Sequence, residues 1–158
     1  MRVDLSKIKK SIIYDVNSIK KIVSMSHPDV QDETGFWLYA TELDKGCFER
    51  SEQTNNLYTI VYVYNRSIIG MVTFRTDYLF QKDHIHIMAL QVLPEYGHNG
   101  LGAQLVQDVW RWAAQHKPEF IGIDLQTYKP SLEPFYSKLG FKKLQNKDLP
   151  YCMSKNFK

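Results

Sequence analysis

The chain has 158 residues, of which 44% are hydrophobic and 23% charged, and its formal net charge is +3. These proportions are typical of a soluble globular chain, and the length favours one domain over residues 1–158. No apolar run is long enough to span a membrane, and lysine and arginine form only pairs, which disfavours nucleic-acid binding. The charged N-terminus is unlike a signal peptide, and Cys47 and Cys152 lack metal-ligand spacing. We therefore expect a cytoplasmic protein without a metal site and without a membrane or nucleic-acid partner.

Hydrophobic periodicity and turn residues predict the secondary structure along the chain. The predicted strands are 11–15, 57–64, 67–75, 84–92, 120–126, 141–144 and 151–156, and the predicted helices are 18–25, 33–43, 100–116 and 132–139. Gly70 interrupts its strand, which indicates a bulge or a close contact. Hairpins come first, and the helix 100–116 then joins two parallel strands by a crossover that should be right-handed. The predicted fold class is α+β, with a mixed, mostly antiparallel sheet of six to seven strands and helices on both faces.

One stretch joins a strand, a glycine-bearing turn and a helix. The apolar strand 84–92 stops before Pro94, which fixes φ and has no N–H to donate. The chain then turns through Gly97–Gly102 and continues as a helix with apolar residues on one face. The first amides of a helix lack intrahelical partners, and the positive end of the helix dipole lies beside them. We therefore expect this turn to hold the pyrophosphate of a nucleotide-type cofactor.

Three segments, in this order, resemble motifs of the GNAT N-acetyltransferase superfamily. Leu90–Tyr96 is similar to the family's apolar-Val-x-Pro-x-Tyr segment, and Gly97–Gly102 fits its (Arg/Gln)-x-x-Gly-x-(Gly/Ala) loop. Phe135–Phe141 matches the Phe-Tyr-x-Lys-x-Gly-Phe segment in full. The resemblance implies an enzyme that moves an acetyl group from acetyl-coenzyme A (acetyl-CoA) to a primary amine by direct attack. The resemblance also implies that the amine belongs to a small molecule, a peptide or a protein and that the reaction needs no metal. Because members of the family often form homodimers, a homodimer is a possible assembly.

Two other classes of function stay open. One is a catalytically weak sensor or interaction module that binds acyl-CoA on the same fold. The other is a non-catalytic nucleic-acid binder, although no basic patch is visible in the sequence. Gly97 replaces the Arg or Gln that starts the family's loop, and Lys129 replaces an Asn that bonds the pantetheine arm. These departures mildly favour the sensor, although Lys129 can contact a phosphate instead.

The resemblance also implies which groups bind acetyl-CoA. The strands 84–92 and 120–126 are expected to separate at their C-terminal ends. Main-chain groups of Leu90 and Val92 then pair with the pantetheine arm, and an amide near Leu90 polarises the thioester carbonyl. The implied cofactor-binding residues are Leu90, Gln91, Val92, His98, Asn99, Gly100, Leu101, Gly102, Ala103, Lys129 and Lys138.

Tyr136, in the third motif, is the implied general acid that protonates the leaving thiolate of coenzyme A. The alternative is a half-buried tyrosine that only packs beside Phe135.

Four further aromatic residues lie at positions where the resemblance implies the wall of the substrate-binding site. Aromatic residues of this kind more often belong to the hydrophobic core. The four residues are Phe36, Trp37, Tyr39 and Tyr78.

The candidate bases lie on two neighbouring strands. Alternation predicts that His84 and His86 share a strand face with Leu90 and Val92. His86 is a candidate base, whereas His84 is expected to be an exposed residue at the strand start. Asp124, in the next strand, is the competing candidate, and an ordinary hydrogen-bonded carboxylate is its alternative. Either base is expected to act through water.

Overall fold

The computed structural model describes residues 2–13, 57–65, 67–77, 81–127, 130–145 and 151–158. The helices predicted at 18–25 and 33–43, the four aromatic residues of the predicted substrate wall, and Lys129 lie outside these residues. In the described part of the chain, no helix is both long enough and apolar enough to cross a membrane.

Seven strands form one mixed sheet. They are β1 (Lys9–Ile13), β2 (Leu57–Tyr64), β3 (Ser67–Arg75), β4 (His84–Val92), β5 (Gly122–Gln126), β6 (Lys142–Lys143) and β7 (Cys152–Asn156). Their order across the sheet is β1-β2-β3-β4-β5-β7-β6, and among these described strands only β4 and β5 pair in parallel. The predicted mixed, mostly antiparallel sheet is confirmed. β1 begins at Lys9 rather than at residue 11, because β2 is long enough to pair with Lys9 and Lys10. Lysine is a common residue in an edge strand.

The β2–β3 hairpin closes through a two-residue turn, because Tyr64 pairs with Ser67. Asn65 has a φ of 49°, in the left-handed region that asparagine tolerates. The register shifts by one residue beside Gly70, where a Cβ would lie 3.3 Å from Cδ1 of Leu105. The predicted bulge and the predicted close contact are therefore both present at this glycine.

Helix α1 (Leu101–His116) packs against β3 and β4 on one side of the sheet. Its buried residues recur with helical spacing and are Leu101, Leu105, Val106, Val109, Trp112 and Ala113. They join one hydrophobic cluster with Phe74 and Ile87 of the sheet. We call the sheet side that carries this cluster the α1 face, and the other side the opposite face.

Helix α2 (Glu133–Lys138) is a short helix that follows a 3-10 turn at Pro130–Leu132. Pro134 lies in its first turn, where a missing N–H costs no intrahelical hydrogen bond. Tyr136 is its buried residue and belongs to the cluster on the α1 face. The fold thus brings the third sequence motif to the same side of the sheet as α1.

β4 and β5 pair only along their first residues, from His84 opposite Gly122 to Ile87 opposite Leu125. Beyond this point β4 continues to Val92 with β3 as its partner. The predicted separation of the two strands is confirmed. It leaves the hydrogen-bonding edge of the second half of β4 facing a gap.

A bulge reverses the side-chain alternation along β4. The register with β3 skips Met88, which is the extra residue. Leu90 and Val92 consequently lie on the α1 face, whereas His84 and His86 point to the opposite face. The prediction that the histidines share a face with Leu90 and Val92 was wrong, because strict alternation holds only in a strand without an inserted residue.

Candidate functional site

The gap between β4 and β5 opens into a cleft made of two adjoining cavities of about 360 and 610 Å³. Leu90 and Val92 of β4, together with Leu132 and Tyr136, line both cavities. The smaller cavity extends along the turn before α1, and the larger one extends between the ends of β4 and β5. The cleft therefore connects the start of a helix with a strand edge that, among the described strands, lies beyond the last β4–β5 pair, and this arrangement suits an elongated ligand with an anionic portion.

Hydrogen bonds within the turn before α1 fix its shape. Nδ2 of Asn99 donates to the carbonyl oxygens of Tyr96 and Gly97 at 3.0 and 3.1 Å. Oδ1 of Asn99 accepts from the amide of Val3 at 2.9 Å. Gly100 has a φ of 75°, a left-handed value that favours glycine. The Asn99 side chain thus supports the turn instead of reaching into the cleft.

Helix α1 begins without a side-chain cap hydrogen bond. The amides of Leu101, Gly102 and Ala103 lie in its first turn, where an α-helix provides no intrahelical acceptor. The positive end of the helix dipole is at the same place. Because no capping side chain competes for these amides, the residues present fit a diphosphate group.

Gly102 brings the start of α1 into contact with α2. A Cβ at this position would lie 2.9 Å from Cζ of Phe135, which is closer than such atoms normally approach. Both residues line the smaller cavity. The second and third sequence motifs therefore meet at a contact that only glycine allows.

Tyr136 lies where the two cavities adjoin and is 7% exposed. Its ring packs edge-on against Phe135 and Phe141, at centroid distances of 5.0 and 5.8 Å. Burial raises the pKa of Tyr136 to about 12, so the hydroxyl is a protonated donor at neutral pH. Tyr136 is thus more deeply buried than the half-buried packing residue considered above, and it lines the cleft while it packs.

His86 and Asp124 lie opposite each other in the parallel β4–β5 pair and are joined by a hydrogen bond. Nδ1 of His86 is 2.7 Å from Oδ1 of Asp124, and the side chains are 5% and 1% exposed. Oδ2 of Asp124 accepts from the amide of Gln81 at 3.1 Å. The two competing candidates for the base are therefore one pair. It lies on the opposite face, one residue before the strands separate.

His84 is buried, so the expectation of an exposed residue was wrong. Its Nδ1 lies 2.9 Å from the carbonyl oxygen of Lys82, and its Nε2 lies 2.9 Å from Oδ1 of Asn156. Strand β7 provides Asn156, which lies against the His84 ring at the start of β4. The residue pattern within β4 gives no indication of this contact or of the burial of His84. His84 lines neither of the two cavities described above and serves the packing of the sheet.

Residues 17–141 match the model of the acetyltransferase (GNAT) family. The chain belongs to this family. GNAT enzymes use acetyl-CoA, and the chain is accordingly an acetyl-CoA-dependent acyltransferase. A comparison with curated proteins gave no match.

Solved GNAT structures share the fold of this chain. An acetyltransferase of the GNAT family from Staphylococcus aureus Mu50 has a TM-score of 0.64 at 18% identity, covering 95% of this chain and 100% of that chain. The PaiA N-acetyltransferase of Thermoplasma acidophilum in complex with coenzyme A has a TM-score of 0.59 at 14% identity, covering 94% and 99%. The KacTA–DNA complex has a TM-score of 0.65 at 17% identity, covering 94% and 92%. At these identities the similarity establishes the fold alone.

Most of the residues expected to bind the GNAT cofactor meet in the cleft. Those that line it are Leu90, Gln91, Val92, His98, Gly100, Leu101 and Gly102. Asn99, Ala103 and Lys138 line neither cavity, and Lys138 is exposed at the end of α2. Sequence reasoning missed Leu132 and Thr127, which also line the cleft. The only signal for Leu132 is its position just ahead of the third motif.

Raising the pH from about 10 to 12 is expected to destabilise this GNAT protein through Tyr136. Burial raises the pKa of Tyr136 from 10.0 to about 12 in the folded state. The contribution of the neutral hydroxyl to the free energy of unfolding is therefore fully present below pH 10 and is lost as the pH rises through 12. The two-unit difference in pKa corresponds to a loss of roughly 2–3 kcal/mol in the free energy of unfolding. Urea unfolding across this range should show a steeper fall for the wild type than for Tyr136→Phe. Parallel curves for the two proteins would contradict the burial of this hydroxyl.

Proposed function

We propose that this protein is an N-acetyltransferase that moves the acetyl group of acetyl-CoA to a primary amine by direct attack of the amine nitrogen. One observation carries the proposal: a proton donor and a His–Asp pair lie on opposite faces of the sheet, beside the same gap between β4 and β5. Tyr136 is on the α1 face, and His86 with Asp124 is on the opposite face. A thioester that reaches the gap from the α1 face is open to an amine that arrives from the other face.

The α1 side of the cleft supports a binding mode for acetyl-CoA. The amides from His98 to Ala103 are proposed to hold the pyrophosphate, because the helix begins there without a capping side chain. The edge of β4 that faces the gap at Leu90, Gln91 and Val92 is proposed to pair with the pantetheine arm. Lys138, exposed in the last turn of α2, remains a proposal for a phosphate contact, as does Lys129.

The reaction forms a C–N bond and breaks the C–S bond of the thioester. Of the three protons of an acceptor ammonium, one stays on the amide nitrogen and one replaces the proton that Tyr136 gives to sulfur. The third leaves through a base on the opposite face. An amide near Leu90 is proposed to polarise the thioester carbonyl. The acceptor is proposed to be a small-molecule amine or an amine of a peptide or protein.

A panel of primary amines assayed with acetyl-CoA tests the proposal. The panel includes polyamines, aminoglycosides, amino acids and peptides with free N-termini. We expect release of free thiol that depends on at least one amine, with the acetylated amine identified by mass. Binding of acetyl-CoA in calorimetry, without thiol release for any acceptor, would contradict the proposal and support the acyl-CoA sensor. The replacement of the family's Arg or Gln by Gly97 is the observation that favours that alternative.

A further inference from the structure

A further cavity of about 250 Å³ lies between α1 and β1, the strand at one edge of the sheet. It shares no described lining residue with the cleft. α1 lines it with residues three or four positions apart, which lie on one side of a helix. They are Asp108, Arg111, Trp112, Gln115 and His116. Arg111 is about 15 Å along α1 from Leu101, which lines the cleft, so the two sites are separate.

The register of β1 with β2 explains why charged and apolar groups meet in this cavity. The paired residues are Lys10 with Tyr62 and Ile12 with Ile60. Residues directly opposite each other in an antiparallel pair point to the same face of the sheet. Ile60 and Tyr62 belong to the cluster on the α1 face, so Lys10 and Ile12 point to that face as well. Ile12, Ile60 and Trp112 thus give the cavity an apolar floor, and charged side chains form its rim.

The charged rim carries one more positive than negative charge among the described residues. Oδ2 of Asp108 lies 3.0 Å from Nζ of Lys10, and Oδ1 accepts from Nη1 of Arg111 at 3.0 Å. The same carboxylate also accepts from the hydroxyl of Tyr62. One carboxylate therefore holds two cations in place and neutralises only one of them. A guanidinium has five N–H donors, so Arg111 retains donors for an anion that enters the cavity.

Trp112 adds a polar group to the apolar floor. The residue is 5% exposed, and its ring packs against Phe74 and stacks on His116 at centroid distances of 5.2 and 5.1 Å. Its Nε1–H is buried and has no hydrogen-bond acceptor in the part of the chain that the structure describes. Buried polar groups in proteins are nearly always hydrogen-bonded. This N–H is therefore a donor that an acceptor on a ligand would satisfy.

We propose that this cavity binds a small organic carboxylate that carries an apolar group. The carboxylate pairs with Arg111 and Lys10 at the rim, and the apolar group lies on Ile12, Ile60 and Trp112. A planar carboxylate matches the fork of a guanidinium, whereas the apolar floor offers nothing to the remaining oxygens of an inorganic phosphate. The volume is below the range of about 300–1,000 Å³ that is typical of pockets for drug-sized ligands, which restricts the site to a small molecule. This binding site is independent of the proposed acetyl transfer.

NMR of the indole N–H groups tests the proposal with phenylacetate and isovalerate as probes. The protein contains three tryptophans, whose signals are assigned by triple-resonance spectroscopy. We expect a saturable shift of the Trp112 signal with a Kd of about 1 mM or below for at least one probe. Trp110, which stacks on Phe157 and does not line the cavity, is the internal control. No saturable shift with either probe at about ten times that concentration would overturn the proposal.

Two further ligands and two variants separate the contributions of charge and apolar contact. Benzylamine has a ring with the opposite charge and should leave the Trp112 signal unchanged, whereas acetate has the charge alone and should bind at least about tenfold more weakly. Arg111→Gln should raise the Kd of the probe by about tenfold or more, because it removes a charge-assisted hydrogen bond. Lys142→Gln removes the same charge from an exposed residue at the other edge of the sheet and should stay within about twofold of the wild type. An unchanged Kd in Arg111→Gln, or an equal response to benzylamine, would overturn the proposal.

Discussion

Replacing Tyr136 by phenylalanine is expected to lower kcat for acetyl transfer by about ten- to a thousandfold, with the affinity for acetyl-CoA nearly unchanged. The hydroxyl lies where the two cavities adjoin and is protonated, because burial raises its pKa to about 12. Phenylalanine keeps the ring and its contacts with Phe135 and Phe141 but has no proton to donate. Steady-state kinetics and calorimetric titration with acetyl-CoA measure the two quantities separately.

Tyr62→Phe is the matched control for this experiment. It removes another buried hydroxyl, which donates to Asp108 and lines neither cavity of the cleft. We expect a change in stability and an unchanged kcat for this control. Unchanged turnover in Tyr136→Phe would remove Tyr136 from the mechanism, and a loss confined to acetyl-CoA affinity would assign it to binding alone.

Gly102→Val is expected to weaken acetyl-CoA binding by roughly a hundredfold or more, because each charge-assisted hydrogen bond to a phosphate contributes about 1.5–3 kcal/mol. The new Cβ would lie 2.9 Å from Cζ of Phe135, so the start of α1 must move away from α2. The first-turn amides move with it. Overpacking of this kind also costs about 1–3 kcal/mol of stability, which thermal unfolding measures.

Gly102→Val combined with Phe135→Ala separates the two effects. Alanine removes the ring that the valine meets, so the helix start can return and part of the acetyl-CoA affinity should be recovered. Calorimetry of the single and double variants gives both affinities. If folded Gly102→Val binds acetyl-CoA as tightly as the wild type, the start of α1 is not the phosphate site.

Sequence patterns predicted the elements of this fold where the pattern is local. The run of β-branched and aromatic residues in β2, and the apolar spacing that continues from Leu101, follow from the geometry of a single strand or helix. The start of β1 was misplaced because Lys9 and Lys10 are polar. Their strand conformation depends on β2, which follows more than forty residues later.

The candidate site was predicted as far as the motifs extend. Gly102 and Tyr136 both line the cleft, and each belongs to a motif, a glycine turn or a short aromatic segment, that is contiguous in the chain and therefore visible in the sequence. The pairing of His86 with Asp124 joins residues 38 positions apart, and the burial of His84 depends on a residue 72 positions away. Such contacts follow from strand order and register, which one sequence does not reveal.

The separation of β4 from β5 also bears on how the free protein behaves in solution. Among the strands that the structure describes, β4 has β3 as its one partner from Met88 to Val92, so in this part of the molecule a stretch of backbone donors and acceptors inside the sheet lies beside a gap. Such an edge is a template for pairing with another chain. A pantetheine arm in the gap would cover this edge, so acetyl-CoA would protect against self-association as well as serve as acetyl donor. It would also raise the free energy of unfolding, by about 2.7 kcal/mol at a concentration one hundred times its Kd.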